Sequence, residues 1–201
     1  MPELIDRFNR VARPYLQLFV PATCIEQSRI LVEVLPEFGA RTEAVATSMM
    51  VKCPELNLAY VAGADAEERA RGKQLAGEWE DRTTPTGEGY GHVVVAAEIA
   101  GQSYLIDATM AQASMPDRGM CIPRFVIAIG PLLQHPGPGS QIDAGLLLDG
   151  GRSIDATWVV KDTRNFERTP GWEPSHLWPL IHRIVREMKW AASVDRRRKA
   201  G

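Results

Sequence analysis

The chain has 201 residues, 45% of them apolar and 24% charged, a composition that excludes wholesale disorder and collagen-like structure and suits one compact domain. Its 23 basic and 25 acidic side chains leave a net charge of −2, which argues against a whole-protein field for nucleic acid. No apolar run approaches the ~20 residues that cross a bilayer, and the opening MPELIDRFNR lacks the h-region of a secretory signal.

Leu4, Ile5, Phe8, Val11 and Ala12 fall at helical spacing, so residues 3–13 predict a surface helix that ends or kinks at Pro14. Apolar residues then run round much of a second helix from about Cys24 to Phe38, a central and buried element stopped by Gly39. Glu43 to Cys53 predicts a strand closed by Pro54. Ala64 to Trp79, rich in Ala, Glu and Arg, predicts an exposed helix, and Glu80 to Gly91 has the turn chemistry of a loop. His92–Ile99 and Gln102–Asp107 are apolar runs joined by Ala100-Gly101, a hairpin pattern. A strand is expected over Phe125–Ile129 and a loop over Leu132–Ser140. Ala144–Leu148 and Ser153–Val160 predict a second hairpin, turning at Asp149-Gly150-Gly151. The last helix carries Leu180, Ile181, Ile184, Met188 and Ala191 on one face, with Pro179 in its first turn. Helices first and mostly antiparallel strands after them make a single α+β domain.

Cys24, Cys53 and Cys121 cannot all pair, and none belongs to a CxxC. Neither a disulfide scaffold nor a structural zinc site is expected, and a reducing, cytoplasmic setting is. Cys24 is the informative thiol. Thr23-Cys24-Ile25-Glu26 fits a capping box, which makes Cys24 the first helical residue, where the macrodipole and the unpaired N–H groups of the first turn favour a thiolate. The hairpin supplies its partners. A tight turn at Ala100-Gly101 sets residues 92–94 across from about 107–109, so His92 and Asp107 come within a position or two of each other. Cross-strand Cβ atoms lie ~4.5–5.5 Å apart, within reach of an imidazole–carboxylate hydrogen bond. A nucleophile, a base and an orienting carboxylate thus come from separate elements of one core.

A cysteine opening a buried helix, a Gly-His beginning a strand, and a hairpin return ending in Asp107-Ala108-Thr109 resemble the transglutaminase-like branch of the papain-like thiol enzymes. That branch carries Cys, His and Asp in this order, the Asp about fifteen residues after the His and followed by Pro-Thr or a close variant. The interval from His92 to Asp107 is fifteen residues. The resemblance spans about Pro21 to Met110. It implies a papain-like fold with a catalytic core over about 21–110, further strands and a helix over 111–195, and a basic tail at 196–201. It also implies acyl transfer through a Cys24 thioester without a cofactor, on a peptide, protein or small-molecule amide or related acyl substrate. His92 would handle the thiol proton and pass it to the leaving amine. Asp107 would fix the imidazole tautomer. The backbone N–H of Cys24 would meet the oxyanion, with Gln17 as a candidate side-chain donor.

Other residues carry less. Asp155 repeats the Ile-Asp-Ala-Thr context but has no histidine at hairpin distance before it. Cys53 and Cys121 read as packing residues, and His135, His176 and His182 as solvated. Trp158, Trp172 and Trp178 suit a groove or a core equally. Arg196-Arg197-Arg198-Lys199 reads as a solubilising frayed end. No GxGxxG or P-loop pattern supports a nucleotide. Two alternatives to a cysteine peptidase or amidase stand beside it. One is an acyltransferase or transglutaminase, using an amine acceptor or an acyl-CoA donor, although the Arg-Gly-Gly that leads into the cysteine of arylamine N-acetyltransferases is missing. The other is a non-catalytic module that binds a peptide or partner on the same fold. Substrate identity and oligomeric state stay open at this point.

Overall fold

The computed structural model describes residues 2–16, 24–63, 78–81, 91–123, 125–148 and 151–200. Helix α1 (Glu3–Leu16) buries Ile5, Phe8 and Ala12 and runs through Pro14 to Leu16, since a proline so near the end forfeits little of the hydrogen-bond ladder. Helix α2 (Cys24–Val34) buries Cys24, Ile25, Gln27, Ser28, Ile30, Leu31 and Val34. It is shorter than expected: Pro36 tightens Leu35–Phe38 into a 3₁₀ turn, which Gly39 closes at φ 84°.

Strand β1 (Arg41–Cys53) organises the sheet. It pairs antiparallel with β4 (His92–Ile99) over Arg41–Thr47, with β8 (Ser153–Val160) over Thr47–Lys52, and with β2 (Leu58–Ala62) over Met49–Cys53. Strand β3 (Glu78–Asp81) lies parallel to β2. This corrects the expected helix, whose last residues Glu78 and Trp79 are extended because β2 offers them a backbone partner. Residues 64–77, the rest of that expected helix, lie outside the described residues. So do 82–90 of the expected loop, whose first residues, Glu80 and Asp81, also belong to β3.

Strands β4 and β5 (Gln102–Asp107) form the expected hairpin. Ala100 and Gly101 both have positive φ, 52° and 76°, the backbone of a two-residue turn matched to strand twist. Strand β6 (Ile127–Leu132) starts two residues later than expected, where Asp107 pairs with Ile127. Strand β7 (Gln141–Leu147) pairs with β8, and residues 149–150 of their turn lie outside the described residues. Helix α3 (Trp178–Ala200) continues through the basic segment. Arg196 to Arg198 are therefore exposed helical residues and not a frayed end. Arg197 reaches back to Ser193 one turn earlier, and Ala, Arg and Lys are good helix formers.

Strand β4 is buried on both faces. Val95 and Ala97 face a core shared with α1, α2 and α3, through Phe8, Leu31, Ile184 and Met188 among others. Val94 and Leu105 face a second core that holds Met49, Met110, Met120 and Trp158. Buried on two sides, the strand reads as a continuous apolar run, and each fully buried aliphatic side chain contributes roughly 1.5–3 kcal/mol.

Where β2 leaves β1 and β4 begins, two glycines touch. Gly91 has φ 74° and Gly63 φ 67°; a Cβ on Gly91 would run into the Thr47 carbonyl oxygen, and one on Gly63 into the Gly91 Cα. This contact delivers the chain to His92. Gly91→Ala is therefore expected to destabilise the protein by about 2–4 kcal/mol, from positive φ plus backbone collision. Gly101→Ala, at a similar φ but with nothing within 4 Å, should lose only about 1 kcal/mol. Urea unfolding of the two variants checks this; equal losses would contradict the close-approach argument.

Candidate active site

The β4–β5 ladder runs from Ile99↔Gln102 to Val95↔Ile106 and then opens. His92, Val93 and Val94 pair with β1, while Asp107 pairs with β6. Continued by register, Asp107 stands across from Val94, two positions from His92 on the same face. Such a diagonal is roughly 7–8 Å, a gap that an imidazole and a carboxylate together span. Nε2 of His92 lies 2.7 Å from Oδ2 of Asp107, and both side chains are fully buried.

The carboxylate collects two further donors. The Thr109 backbone N–H donates to Oδ1 at 2.8 Å, and the Trp158 indole N–H donates to Oδ2 at 3.0 Å. Burial alone would push Asp107 up. The ring's charge and hydrogen bond, the Thr109 N–H and the Trp158 N–H outweigh it and hold the carboxyl below its ordinary value. Burial likewise opposes charge on His92. The charge and hydrogen bond of Asp107, with a smaller contribution from Cys24, reverse the balance and push the imidazole up to about 10.

Cys24 opens α2 and packs with Ile25, Ala44, Ala46, Val93 and Phe166. One turn on, the Ser28 hydroxyl donates to the Val93 carbonyl at 2.9 Å, so the helix is tied to the strand that carries His92. The Cys24 thiol is near enough to the imidazole to raise its pKa, and with Nε2 engaged by Asp107 the ring's other nitrogen is Nδ1. On that nitrogen the side-chain amide of Gln112 stands, at 2.7 Å. Phe166 and Trp172 meet edge to face at 4.9 Å beside the first turn of α2, with Arg29 over the Trp172 ring.

The structure brings Cys24, His92 and Asp107 together. Gln17 and Thr23 lie outside the described residues, so the proposed side-chain oxyanion donor and the capping box do too. Asp155 is exposed, on the face of β8 opposite to the buried Ile154, Ala156 and Trp158. Cys53 is buried, and burial first, then Glu55, pushes its thiol up. Cys121 departs from expectation: it is exposed, while Met120 and Ile122 on either side are buried. His135 is exposed, His176 lies 3.8 Å from Glu26, and His182 stacks on Trp178. Trp158, read as groove or core, is both core and a donor to Asp107. Gln112 was not singled out at all; its one textual mark is a long amide in the short apolar run Met110-Ala111-Gln112-Ala113.

Among the described residues, no group of three or more His, Cys, Asp or Glu is arranged to hold a metal, and no helix is long and apolar enough to cross a membrane. Set against protein-family models, curated proteins and solved structures, the chain matches none.

The buried pair makes stability depend on pH. A ring whose pKa rises on folding contributes stability that is whole below its unfolded value, near 6.5, and fades as pH climbs through about 10. Asp107, lowered on folding, adds stability above its ordinary range and loses it as pH falls below. Asp107→Asn removes the main cause of the ring's rise. Compared in a Cys24→Ala background, which takes away the nearby thiol, it should cost about 3–5 kcal/mol at pH 6, the usual result of stripping one partner from a buried pair. That gap should narrow by at least half at pH 10. Urea unfolding at the two pH values measures it, and a gap independent of pH would contradict the pairing.

Proposed function

We propose that this protein is a thiol enzyme of the papain-like, transglutaminase-like kind, acting on an amide or related acyl bond, chiefly as a hydrolase. The observation that carries the proposal is the buried His92–Asp107 hydrogen bond of 2.7 Å with the thiol that opens α2 beside the same ring. A base held in one tautomer, next to a nucleophile at the positive end of a helix, is the arrangement that activates a sulfur. A free thiol of this sort works in a reducing compartment, and we assign it to the cytoplasm.

In the proposed reaction Nδ1 of His92 takes the Cys24 proton, and the sulfur adds to the substrate carbonyl carbon. The negative charge that develops on the carbonyl oxygen is met by the backbone N–H of Cys24, which the first turn of a helix leaves without an intrahelical partner. As the tetrahedral species collapses, the carbon–nitrogen bond breaks and Nδ1–H passes its proton to the leaving amine. A thioester on Cys24 remains. Water, deprotonated by Nδ1, then adds to that thioester, and the carbon–sulfur bond breaks to give the carboxylic acid and the free thiol. Asp107 stays ionised throughout, orienting the ring and stabilising its charged form.

The three thiols supply an internal comparison. Cys121 is the exposed thiol of the three, so access alone would make it the first to react with iodoacetamide at pH 6. Cys24 should be alkylated at least about ten-fold faster than Cys121 or Cys53. His92→Ala should abolish that lead, and an acyl activity probe should form an adduct that Cys24→Ala removes. Peptide mapping by mass spectrometry reads each site. Cys121 reacting first in the unaltered protein would overturn the proposal.

A further inference from the structure

His92 has one nitrogen to offer the sulfur, and another side chain already stands on it. Nε2 is engaged by Asp107. Nδ1 meets the carboxamide nitrogen of Gln112 at 2.7 Å, as short as the bond to Asp107. Gln112 belongs to a 3₁₀ turn, Met110–Ala113, that begins directly after Thr109 and is anchored by the buried Met110 and Ala113. Its backbone N–H donates to the Thr109 carbonyl at 2.9 Å. The turn that completes the Asp107 site thus also carries the amide to the far side of the ring.

A carboxamide holds donor and acceptor on one neutral group. Its N–H donates to Nδ1 when the ring is neutral; turned over, its oxygen accepts Nδ1–H when the ring is charged. In either state it occupies the nitrogen that the proposed mechanism needs for the Cys24 proton. The leaving amine of an acyl substrate needs that atom too, since it collects the Nδ1 proton. Resting on the thioester reading above, we propose that Gln112 is a positioning residue that holds Nδ1 of His92 in the substrate-free protein, restrains the reactivity of Cys24, and is displaced from the ring when an acyl substrate binds.

Among the described residues, the ionisable groups that act on the ring are Asp107 from β5 and Cys24 from α2. From β1 Thr47 donates to the His92 backbone carbonyl and from β8 Trp158 donates to Asp107; neither titrates in the working range. Glu26 and His176 pair beside the first turn of α2 and are unaltered in the variants below.

The test is the pH dependence of Cys24 alkylation by iodoacetamide in the full chain, with melting curves run alongside. Gln112→Met keeps length and packing but removes both hydrogen-bonding atoms. It should move the acid limb of the rate profile down by roughly half to one pH unit, the worth of an ordinary hydrogen bond, and speed alkylation at pH 5.5 by about three- to ten-fold. Gln112→Glu sets a carboxylate against Nδ1 and near the sulfur; it should move the limb up and slow alkylation at the same pH. A limb that stays in place in both variants, or a uniform rate loss without a shift, overturns the role given to Gln112, while Cys24 still leads the other thiols and the thiol-enzyme reading survives. If Cys24 does not lead in the unaltered protein, that reading fails by itself. Should Gln112→Met not fold, the direction of the shift in Gln112→Glu decides the matter.

Discussion

Taking an imidazole and a carboxylate out of water costs several kcal/mol for each ion, and the surroundings of His92 and Asp107 are organised to offset that cost. The carboxylate receives the ring N–H and the Trp158 indole N–H on one oxygen and the Thr109 backbone N–H on the other. Those donors come from β4, β8 and the turn after β5. A single buried anion therefore couples three parts of the chain that are far apart in sequence. A buried pair of this kind is a poor source of net stability compared with apolar packing, and its presence argues for a chemical reason to keep it.

Placement follows from how the sheet opens. The β4–β5 ladder ends at Val95↔Ile106, beyond which β4 keeps its β1 partner and β5 its β6 partner. Where the backbone pairing of β4 with β5 stops, the side-chain hydrogen bond between His92 and Asp107 links the two strands. Packing of α2 against Val93, Ala44 and Ala46 and the Ser28 bond to Val93 then bring the start of that helix to the same opening. The helix contributes the thiol, and its N-terminal end provides a partial positive charge.

Much of this was legible in the text because it depends on local rules. A two-residue turn sets the register of a hairpin, and register alone put His92 near Asp107. A cysteine ahead of an apolar helical stretch marked the start of α2. What escaped reading depends on long-range packing. Trp158 reaches Asp107 because β8 pairs with β1 across Thr47–Lys52, a partnership with no local signature. Gln112 faces Nδ1 through the path of a 3₁₀ turn, and a lone amide among small apolar residues does not announce which way that turn runs. The composition around Trp79 favours a helix, yet its segment is extended because β2 presents a partner; availability of pairing outranks propensity.

The three cysteines show how little residue type decides. Cys53 is buried with a carboxylate beside it, Sγ to Glu55 Oε2 at 3.5 Å, and both burial and that neighbour oppose the thiolate. Cys121 stands in solvent between the buried Met120 and Ile122. Cys24 alone combines a helix start with an imidazole whose far nitrogen is bound by an anion. An imidazolium stabilises a neighbouring thiolate, whereas a carboxylate repels one. What distinguishes the three sulfurs is therefore the charge that the fold sets beside each, and at His92 a charged ring is favoured by the buried Asp107, which the Thr109 and Trp158 N–H groups hold in place.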